Sequence, residues 1–214
     1  MSYAVKEMFL TLQGEGVHAG RRAVFARFAG CNLWSGLEKD RASAVCQFCD
    51  TDFVGMDGEG GGRFKHARAF ADAVSKLWGD ESRARFVVLT GGEPMLQVDD
   101  ALIDALHDAG FEIAIESNGT LAVPRSIDWI CISPKAGSQI VQRSGDELKL
   151  VWPQSGSDWK SMQDWHFANY LVQPMDSRLG QAADEENLAA AIAFVLAHPK
   201  WRLSLQTHKI LGLA

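Results

Sequence analysis

The feature of this sequence that most constrains its fold is an alternation of short apolar runs with helix-like patterns. Several of the runs are almost continuously apolar and β-branched, which is typical of parallel strands covered on both faces. The predicted strands are AVFARFA (23–29), RFVVLT (85–90), FEIAIES (111–117), DWICIS (128–133), ELKLVW (147–152), YLVQP (170–174) and RLSLQT (202–207). We therefore expect a sheet of mainly parallel strands.

Three segments between these strands have apolar residues at the spacing of one helix face. Their apolar stripes span 70–78, 102–106 and 188–196. Gly79 and Gly110 follow the first two stripes as stop signals. Asp184 is expected to cap the third helix, and Pro199 follows its end. Alternation of strands and helices predicts an α/β fold with a parallel sheet, open or closed into a partial barrel.

Length and charge exclude several classes of protein. The 214 residues fit one domain over 1–214, with 47% hydrophobic and 22% charged residues. The formal charge is −6 and no basic block is present, so we expect no nucleic-acid partner. No signal-peptide pattern and no apolar run of about 20 residues is found, so we expect no membrane partner. The expected compartment is the cytoplasm, where clustered cysteines bind metal more often than they form disulfides.

Polar, glycine-containing motifs follow most of the predicted strands. In parallel α/β folds the ligand site forms beyond the carboxyl ends of the strands, so these motifs predict one shared site. The motifs are Gly30-Cys31, TGGEP (90–94), ESNGT (116–120), SPK (133–135), QPMD (173–176) and QTHK (206–209). Each also has a plainer interpretation: TGGEP and SNGT fit tight turns, Lys149 a solvated edge lysine, and His208 a surface histidine.

Three of the four cysteines lie in one stretch, CNLWSGLEKDRASAVCQFCDTDF (31–53). Cys31, Cys46 and Cys49 supply three thiolates, whereas a structural zinc site needs four ligands and this stretch has no histidine. A redox pair at Cys46 and Cys49 would leave Cys31 unexplained. A [4Fe–4S] cluster with one open iron accounts for all three. Cys131 lies within an apolar strand and is interpreted as a small buried hydrophobe.

The motifs together resemble the 7-carboxy-7-deazaguanine synthases of the radical S-adenosylmethionine (SAM) superfamily. The resemblance rests on LQGEG (12–16), the arginine in FARFAGCNLW, the stretched cysteine motif, CDTDF, TGGEP, ESNGT, SPK, QPMD and QTHK. The superfamily usually spaces its cysteines C-x-x-x-C-x-x-C, whereas fourteen residues separate the first two here. Synthases of this family differ in how they bridge that gap. The resemblance implies a reduced, partial (β/α) barrel with about six parallel core strands and few helices, and a cluster-binding loop and insert at about 31–63.

The resemblance also implies an activity. The family uses a [4Fe–4S] cluster and SAM to generate a radical that removes a hydrogen from 6-carboxy-5,6,7,8-tetrahydropterin. Ring contraction with loss of ammonia then gives 7-carboxy-7-deazaguanine, a precursor of queuosine, and SAM is regenerated. The chain is thus expected to be a carbon–nitrogen lyase that needs Mg²⁺. A homodimer and an electron donor such as a flavodoxin are implied in the same way.

Residues at the matching positions receive expected roles from the resemblance, and none of them is assigned as a catalytic acid or base. The cluster ligands are Cys31, Cys46 and Cys49, with Thr51 as the Mg²⁺ ligand. The residues expected at SAM are Gly92, Ser117, Ser133, Lys135 and Gln173. The residues expected at the pterin are Leu12, Gln13, Gly14, Glu15, Arg27, Thr90, Asp176, His208 and the terminal carboxylate of Ala214.

Two alternatives stay open at this point. Another radical SAM enzyme, such as a glycyl-radical activase, would share the cysteines and TGGEP but usually has the tighter cysteine spacing. A non-catalytic zinc-binding module would share only the thiols.

Overall fold

A nine-stranded sheet forms the centre of the molecule in the computed structural model, which describes residues 2–213. The strands are β1 (Tyr3–Leu12), β2 (Arg22–Phe28), β3 (Gly62–Phe64), β4 (Phe86–Gly91), β5 (Glu112–Ser117), β6 (Trp129–Ile132), β7 (Ser144–Trp152), β8 (His166–Pro174) and β9 (Arg202–Leu203). The helices are α1 (Ala67–Trp78), α2 (Asp100–Asp108), α3 (Trp159–Met162), α4 (Gln181–Ala197) and α5 (Thr207–Leu211). Short 3₁₀ helices span Glu38–Ser43 and Pro94–Leu96.

The sheet is mostly parallel and open. Its spatial order is β3-β1-β2-β4-β5-β6-β7-β8-β9, and every neighbouring pair from β2 to β9 is parallel. β1 pairs antiparallel with both β2 and β3. Among the described strands, β3 and β9 are the two edges, so the sheet does not close. The predicted α/β class with a partial parallel barrel and few helices is confirmed, with the two-residue β9 added to six longer parallel strands.

The core lies where helices cover the parallel strands. β4 is buried over almost its whole length, as its sequence FVVLTG predicts for a strand with both faces covered. α1 turns Phe70, Val74 and Trp78 inward, and α2 buries its own apolar stripe beside it. α4 packs on β7, β8 and β9 at the other end of the sheet. Each large apolar side chain buried in this way contributes about 1.5–3 kcal/mol.

The three predicted helices are confirmed, but the buried face and the cap of the third differ from the prediction. α4 buries Ala191 and Phe194, whereas Ile192 and Leu196 of the predicted stripe are exposed. Gly79 ends α1 with φ 85°, and Gly110 follows α2 with φ 80°. The prediction that Asp184 caps the third helix is wrong. α4 begins three residues earlier, at Gln181, and the Asp184 carboxylate accepts a hydrogen bond from the backbone N–H of Ser177. Asp184 therefore fastens the preceding loop to the first helical turn.

Two further elements differ from the prediction. β1 was missed because the charged residues Lys6 and Glu7 interrupt its apolar pattern, and a register shift between Val5 and Glu7 breaks the alternation. The predicted strand 202–207 is wrong beyond its start, because Thr207 already begins α5. In the part of the chain that the structure describes, no helix is both long enough and apolar enough to cross a bilayer.

Candidate active site

One cavity of about 330 Å³ opens at the carboxyl ends of the parallel strands. This volume lies in the range of small-molecule sites. The predicted site residues that line it are Leu12, Gln13, Gly14, Glu15, Arg27, Cys31, Cys46, Cys49, Thr51, Thr90, Gly92, Ser117, Ser133, Lys135, Gln173, Asp176 and His208. Ala214 lies outside the described residues. The structure thus brings together every predicted site residue that it describes, while their individual ligands stay predictions.

Three thiols share one wall of this cavity. Cys31 follows β2, and Cys46 and Cys49 lie in the loop beyond the first 3₁₀ helix. The Cys46 thiol donates a hydrogen bond to Cys49, which lowers the pKa of Cys49 to about 6 and raises that of Cys46. Cys131 lies apart on β6, where it is buried and donates to Glu147 Oε1 at 3.5 Å.

The donor set fits a cluster more closely than a closed zinc site. Three soft thiol ligands without histidine match an iron–sulfur cluster that leaves one iron free. Among residues 2–213, no three His, Cys, Asp or Glu side chains are already gathered in a metal-binding arrangement.

The TGGEP motif is locked against two neighbouring strand ends. A Cβ atom on Gly92 would lie 2.0 Å from the carbonyl oxygen of Gly30, so only glycine fits there. The fully buried Glu93 accepts hydrogen bonds from Ser117 Oγ at 2.8 Å and from the backbone N–H of Asn118 at 2.7 Å. Burial raises the pKa of Glu93. Glu93 thus holds the ends of β4 and β5 in one arrangement and leaves Gly92 at the cavity surface.

A charge cluster around the buried Lys149 lies at the floor of the cavity. Lys149 Nζ lies 2.5 Å from Glu15 Oε2 and 3.1 Å from Glu116 Oε2. Gln13 Nε2 donates to Glu116 Oε1 at 2.9 Å, and Gln206 Nε2 donates to Glu15 Oε1 at 2.9 Å. Two carboxylates therefore share one ammonium group, and the hydrogen bonds of the two amides fix their orientation.

The charges of this cluster stabilise one another against burial. Burial raises the pKa of Glu15, but the nearby Lys149 outweighs it and lowers that pKa to about 2. Burial lowers the pKa of Lys149, but Glu116 and Glu15 raise it well above its usual value. Glu15 and Lys149 are therefore both charged at neutral pH, and Glu15 is a strong acceptor for N–H donors of a ligand.

Two cationic side chains face the cavity at other points of the wall. Arg27 Nε donates to Glu7 Oε1 at 2.7 Å, which fixes the guanidinium between β1 and β2. Lys135 Nζ donates to the carbonyl oxygen and the hydroxyl of Ser133 at 2.7 and 2.8 Å. These groups are suited to binding carboxylates.

The C-terminal helix α5 covers one side of the cavity. The backbone N–H of Thr207 donates to the Gly14 carbonyl at 2.8 Å, and a Cβ on Gly14 would lie 2.1 Å from His208 Nδ1. Lys209 Nζ lies 2.8 Å from Asp50 Oδ2 and 2.5 Å from Asp176 Oδ2. α5 is thus fastened to the LQGEG loop, the cysteine loop and the end of β8.

The prediction missed several charged and amide residues that line the cavity, of which Lys149 is the most informative. Its interpretation as a solvated edge lysine is wrong, because its side chain is only 4% exposed. The signal was present in ELKLVW, where a period of two places Lys149 on the same strand face as Glu147 and Val151. The other residues of this group are Glu7, Asp50, Asp52, Glu116, Asn118, Gln206 and Lys209.

The chain is similar to known proteins over its whole length, although no family model matches it. The 7-carboxy-7-deazaguanine synthases of Bradyrhizobium diazoefficiens and Burkholderia multivorans are each 59% identical to it over 213 residues and 100% of both chains. A relative of the same name from Bacteroides thetaiotaomicron is 41% identical over the same span. A crystal structure of QueE from Escherichia coli is 26% identical, with a TM-score of 0.71 over 97% of this chain and 95% of that one.

These relatives agree with the resemblance that the motifs carry, and the structural neighbour confirms the radical SAM type of partial barrel. Full-length identity of 59% leaves no part of the chain outside the match. The chain belongs to the 7-carboxy-7-deazaguanine synthase family, whose members are radical SAM lyases.

Proposed function

We propose that this chain converts 6-carboxy-5,6,7,8-tetrahydropterin into 7-carboxy-7-deazaguanine with release of ammonia, as a step towards queuosine. The observation that carries the proposal is the cavity at the strand ends, which gathers three thiols, the polar strand ends and the charged floor. Full-length similarity to named synthases supports the same activity.

The thiol wall is the proposed cluster site. Cys31, Cys46 and Cys49 would hold a [4Fe–4S] cluster, which together with SAM supplies radical chemistry when bound. Gly92 offers backbone beside the thiols, where only glycine fits. Lys135, which donates a hydrogen bond to Ser133, would bind the SAM carboxylate. Ser117 and Gln173 complete the proposed SAM contacts.

The charged floor and the LQGEG loop form the proposed pterin site. Arg27 would bind the substrate carboxylate, because its guanidinium is fixed on the wall by Glu7. Glu15, ionised and partly buried, would accept hydrogen bonds from N–H groups of the pterin ring, and Gln13 would add amide contacts. Thr90, Asp176 and His208 line the remaining wall, the last of them on α5.

Further parts of the proposal come from the family resemblance. Thr51 would contribute its hydroxyl to Mg²⁺, a hard ion that prefers oxygen ligands. The proposal also includes a cytoplasmic homodimer that accepts electrons from a flavodoxin-like donor.

Metal content and ammonia release test this function together. Protein purified without oxygen should be brown and contain about four irons per chain. With SAM, a reductant and carboxytetrahydropterin it should release ammonia. Colourless protein with stoichiometric zinc would contradict the proposal, and so would SAM cleavage without ammonia.

A further inference from the structure

The fourteen residues between Cys31 and Cys46, here called the insert (32–45), close on themselves. The carbonyl oxygen of Leu33 accepts hydrogen bonds from the backbone N–H groups of Val45 at 3.1 Å and Cys46 at 3.3 Å. The two ends of the insert are therefore adjacent. The fourteen residues thus form a loop whose two ends are joined by backbone hydrogen bonds.

The insert carries an arginine that reaches back to the cysteine loop. Arg41, in the 3₁₀ helix of the insert, donates from one guanidinium nitrogen to the carbonyl oxygens of Gln47 at 2.9 Å and Cys49 at 3.1 Å. Its Nε lies 2.9 Å from both carboxylate oxygens of Glu38. The guanidinium carbon lies 3.9 Å from the centre of the Trp34 ring. The side chain is only 15% exposed, so these contacts hold it in one position.

A second arginine, far away in the sequence, donates to the same carbonyl group. Arg178, in the loop between β8 and α4, donates to the Cys49 carbonyl oxygen at 3.2 Å, and its other nitrogen lies 3.6 Å from Glu38 Oε2. Its φ of 58° lies in the left-handed region, which residues other than glycine rarely adopt. The surrounding contacts must hold this backbone in place.

We propose that Arg41 and Arg178 are positioning residues that clamp the Cys46–Cys49 loop for its cluster, and that the insert serves to deliver Arg41. The two guanidinium groups share the Cys49 carbonyl as acceptor and Glu38 as counter-ion. The inference rests on the proposed function, because it takes Cys46 and Cys49 as cluster ligands. It predicts that the loop is ordered before iron arrives and that the clamp adds positive charge beside the cluster.

Alkylation of the cluster-free full-length chain tests the order of the loop. Iodoacetamide labelling without oxygen, followed by mass spectrometry, gives a rate for each cysteine. Arg41→Met should raise the rates at Cys46 and Cys49 by about fivefold to thirtyfold, because the loop loses charge-assisted hydrogen bonds and opens more often. Adding Arg178→Met should raise them further.

Matched variants separate the clamp from general loss of structure. Arg68→Met removes an exposed arginine that pairs with Asp72 on α1, and it should leave every rate unchanged. Arg41→Lys keeps the charge but not the planar fork, so its rates should be intermediate. Cys131, buried in β6, is the internal reference and should keep its rate in all variants.

The midpoint potential of the reconstituted cluster gives a measure that a purely structural role would not move. Removing positive charge beside the cluster should make the Arg41→Met potential more negative than that of Arg68→Met. Arg41→Lys should restore most of the difference. Equal potentials in all three variants would overturn the proposal.

Two outcomes of the alkylation assay would also overturn the proposal. Rates at Cys46 and Cys49 within about twofold of the unmodified chain in the double variant would overturn the clamp. Faster labelling of Cys131 even in Arg41→Lys would also overturn it, since the effect would then be global. The alkylation assay needs neither SAM nor pterin, so a negative result in it does not contradict the proposed function. Equally, absence of ammonia release does not contradict the alkylation result.

Discussion

Lys149 and Glu15 form a salt bridge of 2.5 Å at the floor of the cavity, although 134 residues separate them in sequence. The first lies on β7 and the second follows β1, so the bridge joins two distant parts of the sheet. Glu116 from β5 shares the same ammonium group at 3.1 Å. One buried lysine thus compensates two partly buried carboxylates that face the proposed pterin site.

Lys149→Met should destabilise the protein by about 1–3 kcal/mol at neutral pH, because it leaves two partly buried carboxylates without a counter-charge. Urea denaturation followed by fluorescence measures the free energy of unfolding. Lys76→Met, at an exposed lysine of α1, is the control and should change it little. An equal loss in both variants would contradict the account.

The loss of stability in Lys149→Met should become smaller as pH falls. The pKa of Glu15 is lowered from 4.5 to about 2 in the folded protein. The stabilisation that ionised Glu15 gives the folded protein is therefore fully present above about pH 4.5, and it disappears as pH falls towards 2. The stability difference between Lys149→Met and the unmodified chain should narrow over this range, and a constant difference would argue against the charge pairing.

His18 should make the protein sensitive to mild acid. Burial, together with the positive charge of Arg21, lowers its pKa below 6.5, and its Nε2 atom is buried without a hydrogen-bond partner among the described residues. As pH falls, His18 therefore takes up a proton at higher pH in the unfolded chain than in the folded protein. The free energy of unfolding falls as pH drops through 6.5 towards the lowered pKa.

His18→Phe keeps an aromatic ring beside Phe86 and Trp129 but cannot take up a proton. The slope of unfolding free energy between pH 7 and 5 should be smaller in this variant. Denaturant titrations at several pH values measure it, with His166→Phe, at an exposed position, as the control. An unchanged slope in His18→Phe would refute the assignment.

Arg27→Met should raise the KM for carboxytetrahydropterin by about tenfold to a hundredfold, the change that corresponds to losing charge-assisted hydrogen bonds to a carboxylate. Arg27→Lys should recover part of the loss, because it keeps the charge without the planar fork. Steady-state kinetics of ammonia release provide the values. If KM stays constant while only kcat falls, the carboxylate is bound elsewhere.

Cys46→Ala should lose iron and activity together, whereas Cys131→Ala should keep most of both. Cys46 lines the cavity, while Cys131 lies buried on β6 and its thiol donates a hydrogen bond to Glu147. Iron analysis after anaerobic reconstitution separates the two variants. Equal loss in both would break the assignment of the ligands.

The regular part of the fold could be predicted because its signals are local. β4 is almost entirely apolar, and α1 repeats its apolar residues at helical spacing before Gly79. β1 could not be recognised in this way, because Lys6 is buried only through partners that lie far along the chain. Its Nζ contacts Asp52 and Asp57 at 2.9 and 2.8 Å.

In the candidate site, too, the features with local sequence signals could be predicted and those that depend on distant contacts could not. Its motif residues could be placed at one sheet edge, because parallel strands carry their carboxyl ends to the same side. The partners of Lys149 and the structural role of Glu93 depend on contacts between different strands, which no local pattern encodes. The conformation of the insert likewise depends on Arg41 meeting the cysteine loop.

Mass spectrometry of the product tests the proposed reaction itself. Enzyme reconstituted with iron and sulfide is incubated without oxygen with SAM, a reductant and 6-carboxy-5,6,7,8-tetrahydropterin. We expect 7-carboxy-7-deazaguanine in amounts well above the enzyme concentration. Intact SAM cleavage without this product would contradict the proposed reaction and would assign the cavity to another substrate.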